Sequence, residues 1–231
     1  RNRSARGRLC FGDGRTGRTR LHARPGTHAM TLKNTDDRWG AVSQLLHWTI
    51  AALILYMAYL GLTMGDLPNG PAKIQTYALH KSIGISILGL VALRVLWRLY
   101  AGTPAHIAGT PTWQLRIAGA THLAIYALLF AIPISGWVLN SAAGFPLQWF
   151  HLVNLPHIVE RNHDLHELAE EAHELMFWAL ALLVVLHAGA AFYHHLFQGD
   201  ATLARMLPRG WIKRDATVAV PPASDGNTPV A

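Results

Sequence analysis

Four long apolar stretches constrain this chain more than any other feature of its sequence. A transmembrane helix needs about 20 mostly apolar residues. Stretches of that length predict four spans, at about residues 45–64, 79–99, 117–139 and 173–197. Only 14% of the residues are charged, against roughly 25% in an average soluble domain. The sequence therefore predicts an all-α membrane protein, a bundle of four transmembrane helices.

The distribution of Lys and Arg predicts how the spans are oriented. Basic residues precede span one, join spans two and three, and follow span four, whereas the connection between spans three and four is mainly acidic. Positive charge is retained on the cytoplasmic side of a bacterial membrane. We therefore expect both termini in the cytoplasm, the acidic connection in the periplasm, and the protein in the bacterial inner membrane.

The net charge of +7 comes from the first 29 residues, which contain eight Arg and one Asp. The rest of the chain is neutral overall, so a nucleic-acid-binding function loses its main support. Residues 1–29 and 211–231 lack periodicity and are expected to be disordered, flanking a membrane domain of residues 30–210. We expect natural translation to start at Met30; a basic tail that contacts anionic lipid is the alternative. The single cysteine, Cys10, excludes a disulfide framework and a Cys-ligated metal centre.

Four histidines lie within or at the edges of the spans, where an imidazole without a partner is costly. They are His47, His80, His173 and His187. The last two lie on one face of span four because fourteen residues are nearly four helical turns, which separates them by about 21 Å. In the predicted topology His47 pairs with His187 at the cytoplasmic level, and His80 pairs with His173 at the periplasmic level.

Two imidazoles at each of two depths favour two bis-histidine b-type haems over a metal cluster. Arg94 lies fourteen residues after His80 on the same face of span two, and we predict that it binds a propionate of the inner haem. Lys81 at the outer mouth is expected to neutralise an outer propionate or to attract an anionic reductant. His122 has no partner at a matched depth and is expected to line the bundle or bond a neighbouring helix.

Other candidates lie near the inner haem and in the acidic connection. His194 or its neighbour His195 is expected to contact a propionate or to carry a proton to a quinone. Trp48, Arg94 and His194 are the candidates for a quinone site. Four further histidines are expected to be solvated loop residues of the acidic connection: His151, His157, His163 and His166.

Over residues 38–209 the sequence resembles the bacterial cytochrome b561 family of small four-helix dihaem membrane proteins. The resemblance is carried by LLHW at 45–48, LHKSIGISILGLVALRVLWR at 79–98, THLAIYALLFAIPISGW at 121–137, HELMFWALALLVVLHAGAAFYHH at 173–195 and RMLPRG at 205–210. It implies haem ligation by the histidines of LLHW, of LHKS and of span four. In this sequence they are His47, His80, His173 and His187.

The resemblance also implies electron transfer, in its best-understood form from periplasmic superoxide to ubiquinone. A basic outer surface around Lys73 and Lys81 would then collect the anion. The acidic connection, residues 154–171, leaves the electron donor open. The alternative is a cytochrome subunit that conducts electrons for a separate dehydrogenase or a soluble cytochrome. A haem-free transporter or proton channel does not explain the pairing of histidines at two depths.

Overall fold

Four long helices make up most of the computed structural model, which describes residues 31–107, 109–208 and 211. They are α1 (Ala41–Thr63), α2 (Pro71–Ala101), α3 (Thr112–Ala142) and α4 (His163–Leu196). All four are long and apolar enough to cross a membrane, so the prediction of an all-α membrane protein with four spanning helices is confirmed. Residues 1–29 with Cys10, Met30, and the C-terminal tail apart from Trp211 lie outside the described residues.

The acidic connection is shorter than predicted, because α4 begins ten residues before the predicted fourth span. The Asn162 side chain caps this helix by accepting a hydrogen bond from the backbone N–H of Leu165 (2.9 Å). His163 and His166 therefore lie in the first turns of α4, and the prediction that they are loop residues is wrong. His151 and His157 lie outside the helices, as predicted.

The helices pack in sequence order, with the most extensive contact between α3 and α4 and further contacts of α2 with α1 and α3. Their small apolar core draws on all four helices and comprises Ile50, Leu60, Ile83, Ile87, Val91, Leu129 and Leu180. Many large apolar side chains instead point outward, as lipid-facing residues do. Examples on successive helices are Leu55, Leu93, Leu123 and Leu182.

A two-stranded hairpin closes one end of the bundle. Its strands β1 (Leu147–Trp149) and β2 (Val153–Leu155) pair antiparallel between α3 and α4. The hairpin is held on α2 by Ser82, whose hydroxyl oxygen accepts a hydrogen bond from the backbone N–H of Phe150 (3.0 Å). We call this end, where α2 and α4 begin, the hairpin end.

The opposite end, called here the C-terminal end, is where α1 and α3 begin and α4 stops. A short 3-10 turn at Ala204–Met206 lies across it. Backbone carbonyls in and beside this turn accept hydrogen bonds from the side chains of Arg38, Gln44 and Trp48. The segment after α4 is thereby tied to the start of α1.

Candidate functional site

At the hairpin end, His80 of α2 faces His173 of α4. Their ring centres are 6.3 Å apart and the ring planes differ by 61°. The Ser135 hydroxyl donates a hydrogen bond to the Ile132 carbonyl (2.8 Å) and lies 3.0 Å from Nδ1 of His173. Because the one hydroxyl hydrogen of Ser135 is engaged with the Ile132 carbonyl, the Nδ1–H group of His173 must donate to the Ser135 oxygen. This tautomer leaves Nε2 of His173 with the lone pair that a metal needs.

Two glycines leave room for the rings of this pair. A Cβ atom at Gly136 would lie only 3.2 Å from Cε1 of His173, and one at Gly61 would lie 3.5 Å from Cε1 of His80. The first distance is too short for ordinary contact, so a side chain at position 136 would displace the imidazole. Glycine at that position therefore leaves the room that the ring of His173 occupies.

At the C-terminal end, His47 of α1 faces His187 of α4. Their ring centres are 6.4 Å apart, with the planes 72° from parallel. The indole of Trp48 lies edge-on to the His47 ring at 5.0 Å. The two predicted histidine pairs thus come together at opposite ends of α4, one pair at each end of the bundle.

His122 of α3 lies beside the second pair, and the prediction that it has no partner at a matched depth is wrong. Its ring centre is 5.1 Å from that of His187. His122 lies ten residues after the start of α3, and His187 lies nine residues before the end of the neighbouring antiparallel helix α4. The two rings are therefore level. The sequence did not reveal this because α3 begins five residues before its predicted span.

The spacing of the paired rings fits axial ligation of a haem iron. A metal between two imidazoles lies about 2 Å from each ligating nitrogen, which puts the ring centres about 6 Å apart. Both pairs have this spacing, whereas the rings of His122 and His187 are too close to bind one iron from opposite sides. Within the described residues, no three His, Cys, Asp or Glu side chains cluster around a common metal position. Pairs of histidines suit a macrocycle that supplies the other ligands.

Two basic side chains of α2 reach across to α3, one at each level. The Nε of Arg94 donates a hydrogen bond to the Tyr126 hydroxyl (2.9 Å). The Nζ of Lys81 donates to Oδ1 of Asn140 (3.0 Å). In the described part of the chain neither cation forms an ion pair with a carboxylate, so each retains positive charge for an anionic ligand. Tyr126 and Asn140 are partners that no sequence pattern indicated.

The other two quinone-site candidates have partners at the C-terminal end. Trp48 donates its indole N–H to the Met206 carbonyl (2.9 Å). His194, in the last turn of α4, lies with Nδ1 2.9 Å from Oδ2 of Asp200. His195 has a buried Nδ1 without a hydrogen-bond partner among the described residues. Both Trp48 and His194 are thus attached to the segment that follows α4.

Asp200 gives this segment a pH-dependent attachment. Burial alone raises the pKa of its carboxyl, but hydrogen bonds from Thr202 and His194 outweigh burial and lower the pKa below its usual value. A carboxyl with a lowered folded-state pKa stabilises the fold above its unfolded pKa, and this contribution is lost as the pH falls through the folded pKa. The attachment is therefore strongest when Asp200 is ionised.

Replacing Asp200 with asparagine is expected to lower the stability of the purified protein at pH 7 by up to about 1 kcal/mol, since partial exposure screens the charge. The deficit should begin to shrink as the pH falls below about 4, the ordinary pKa of an unfolded aspartate, and should disappear below the lowered pKa of the folded-state carboxyl. Thermal unfolding in detergent at several pH values measures it. A deficit that is equally large at pH 7 and pH 3 would contradict the role of the ionised carboxylate.

Comparison with known proteins identifies the family. Residues 38–209 match the model of prokaryotic cytochrome b561. The chain is 35% identical to cytochrome b561 homolog 2 of Escherichia coli, over 77% of this chain and 95% of that protein. It is 31% identical to cytochrome b561 homolog 1 of the same organism (75% and 98%). It is also 30% identical to a probable superoxide oxidase, CybB, of Yersinia pestis (71% and 92%). The chain therefore belongs to the prokaryotic cytochrome b561 family, as a multi-pass bacterial membrane protein that binds b-type haem and takes part in electron transfer.

Proposed function

We propose that the protein binds two b haems and transfers electrons across the bacterial inner membrane, from superoxide to ubiquinone. The observation that carries this proposal is the placement of two histidine pairs at opposite ends of α4, with ring centres 6.3 and 6.4 Å apart. Their α4 members are separated by about 21 Å along the helix, which is most of a hydrocarbon core about 30 Å thick. One haem at each level would carry electrons between the two faces.

The four imidazoles would hold the two haem irons, two imidazoles to each iron. His80 and His173 would ligate the haem at the hairpin end, and His47 and His187 the haem at the C-terminal end. When bound, each haem supplies an iron that gains and loses one electron at a time. Because two imidazoles would hold each iron, the chain would favour electron transfer over oxygen binding. The tautomer that Ser135 imposes on His173 supports this ligand set.

Two lysines of α2 supply positive charge for an anionic donor at the hairpin end. Lys73 and Lys81 both lie in the first half of α2, as does His80, and Lys73 donates a hydrogen bond to the Gly65 carbonyl (2.8 Å). Cationic groups at the mouth of a site raise the local concentration of an anion such as superoxide. The similarity to a probable superoxide oxidase of Yersinia pestis supports the same donor.

The C-terminal end would receive the quinone. Reduction of a quinone consumes protons as well as electrons. His194 and Asp200 form a polar pair that could pass protons from water, since 24% and 18% of their side chains are exposed. Arg94 and Trp48 lie at the same end of the bundle. We propose that this end faces the cytoplasm, with both termini, because the basic connections lie there.

A steady-state assay tests the proposed reaction. Purified protein in detergent is supplied with enzymatically generated superoxide and a soluble ubiquinone analogue, and formation of quinol is followed by absorbance. We expect quinol to form in proportion to the protein added, and superoxide dismutase to abolish it. Quinol formation no faster than in the protein-free control would rule out this reaction while leaving haem binding intact.

A second candidate function is an electron conduit for a soluble redox protein, and the start of α4 favours it. The exposed carboxylates there are Asp164, Glu167, Glu170 and Glu171. Two of them lie beside histidines, with His163 3.7 Å from Glu167 and His166 4.0 Å from Glu170. An acidic surface at the hairpin end suits a basic partner protein. Stoichiometric copurification of a redox partner from native membranes would favour this function over superoxide oxidation.

A further inference from the structure

Lys81 is a cation with an unusual environment for a membrane-spanning helix. It follows His80 directly in α2, is only partly exposed, and donates a hydrogen bond to the neutral Oδ1 of Asn140 (3.0 Å). No carboxylate in the described part of the chain pairs with it. Placing a charged group in a membrane-spanning segment costs free energy, so such groups are usually paired with an opposite charge or take part in function. The ammonium of Lys81 is therefore held in place without being neutralised.

The side chain of Asn140 is held in place by hydrogen bonds other than the one it accepts from Lys81. Its side chain, in the last turn of α3, is 4% exposed. Its Nδ2 donates to the Phe145 carbonyl (2.6 Å), and its backbone carbonyl accepts from the N–H of Phe145 (3.2 Å). Since Nδ2 is used by the backbone, Oδ1 must point the other way, toward Lys81. The carboxamide thus presents a dipole and not a charge to the ammonium.

Three consecutive residues of α2 make the position of the ammonium rigid. His80 faces His173 across the bundle, and Ser82, only 2% exposed, accepts the hydrogen bond that anchors the hairpin. Lys81 lies between these two anchored residues and reaches α3. Its charge is therefore held at a defined place, next in sequence to a histidine of the hairpin-end pair and against the last turn of α3.

We propose that Asn140 is a positioning residue, which holds the uncompensated charge of Lys81 beside the hairpin-end pair as a binding site for a small anion, superoxide. This inference rests on the proposed function, because it names the group that receives the donor. Superoxide bound there gives one electron to the oxidised haem held by His80 and His173, and leaves as dioxygen. No proton is taken up or released in this step.

The substitution Asn140→Asp tests the role of the neutral carboxamide, because it places a carboxylate against the ammonium of Lys81. We expect the rate constant for haem reduction by superoxide, measured by rapid mixing with protein in detergent, to fall about tenfold. Its dependence on ionic strength should flatten as well. The matched control is Asn154→Asp, which adds the same charge to the exposed face of β2 at the same end. The control should keep the rate within about twofold, since a solvent-exposed charge is screened by salt.

A redox titration separates charge placement from any loss of folding. The midpoint potential of the hairpin-end haem should fall in Asn140→Asp and stay unchanged in Asn154→Asp, because only the former cancels a charge next to that haem. Should the buried aspartate prevent folding, Lys81→Gln removes the charge and keeps a polar side chain on the same side of α2. This variant should show the same slower reaction and the same flatter salt dependence.

The outcomes separate this inference from the proposed function. Equal superoxide rates in the two aspartate variants, with equal salt dependence, would overturn the anion site. A shifted potential with an unchanged salt dependence would also overturn it, since Lys81 would then serve the propionate of the haem. If the unmodified protein is not reduced by superoxide at all, the proposed donor fails. Asn140 then remains a positioning residue only if the potential shifts in Asn140→Asp alone.

Discussion

Replacing His173 with alanine is expected to halve the haem content of the purified protein, from two b haems per chain to one. His173 is one of the two imidazoles proposed for the hairpin-end iron, and Ser135 fixes its tautomer. The second pair lies at the other end of α4 and should keep its haem. A pyridine haemochrome assay, normalised to protein concentration, measures the change.

The matched control is His163→Ala on the same helix. The side chain of His163 is 79% exposed and lies 3.7 Å from Glu167, away from both pairs. It should leave the haem content unchanged. Equal haem contents in His173→Ala and the unmodified protein would remove His173 from the ligand set, and a value of one haem in the unmodified protein would contradict the dihaem proposal.

His122 provides a second control, because it is the third histidine at the C-terminal end. Its ring centre is 5.1 Å from His187, closer than the spacing of about 6 Å that an iron between two imidazoles requires. His122→Ala should therefore keep both haems, whereas His187→Ala should lose one. A loss of haem in His122→Ala equal to that in His187→Ala would reassign the ligands at this end.

The four spans could be predicted because the cost of burying charge in lipid leaves a signal along the sequence. The helix ends could not, because they depend on local chemistry that continues past the apolar residues. Pro71 at the first position of α2 and the Asn162 cap of α4 extend both helices beyond the predicted spans. The polar first turns of α4 were consequently interpreted as a loop.

The depths of the paired histidines could be predicted from sequence, because residues on one helix keep a fixed axial spacing and successive spans alternate in direction. Which other side chains meet across two helices could not be predicted, since that depends on how each helix rotates about its axis. Asn140 opposite Lys81 and Ser135 opposite His173 are of this kind. The one signal that was available is the small residue Gly136, which marks a close approach to another group.

Replacing Gly136 with leucine is expected to weaken haem binding at the hairpin end by roughly 10- to 100-fold, the usual cost of disturbing a group that orients a metal ligand. A Cβ atom there would lie 3.2 Å from Cε1 and 3.5 Å from Nδ1 of His173. The imidazole would have to shift to admit the new side chain, which should disturb its hydrogen bond with the Ser135 hydroxyl. We expect fewer than two haems per chain after purification, with the loss confined to the hairpin-end haem in a redox titration.

Gly119→Leu is the matched control for this effect, since Gly119 lies on the same helix. A Cβ atom at Gly119 would meet nothing within 4 Å, so the added side chain would enter open space on the lipid-facing side. This control should retain both haems and shares with Gly136→Leu the change in helix propensity and in apolar volume. A difference between the two variants then reports the effect of a side chain placed beside His173. Equal haem retention in both would mean that the ring of His173 can shift without losing its iron, and that Gly136 does not determine its position.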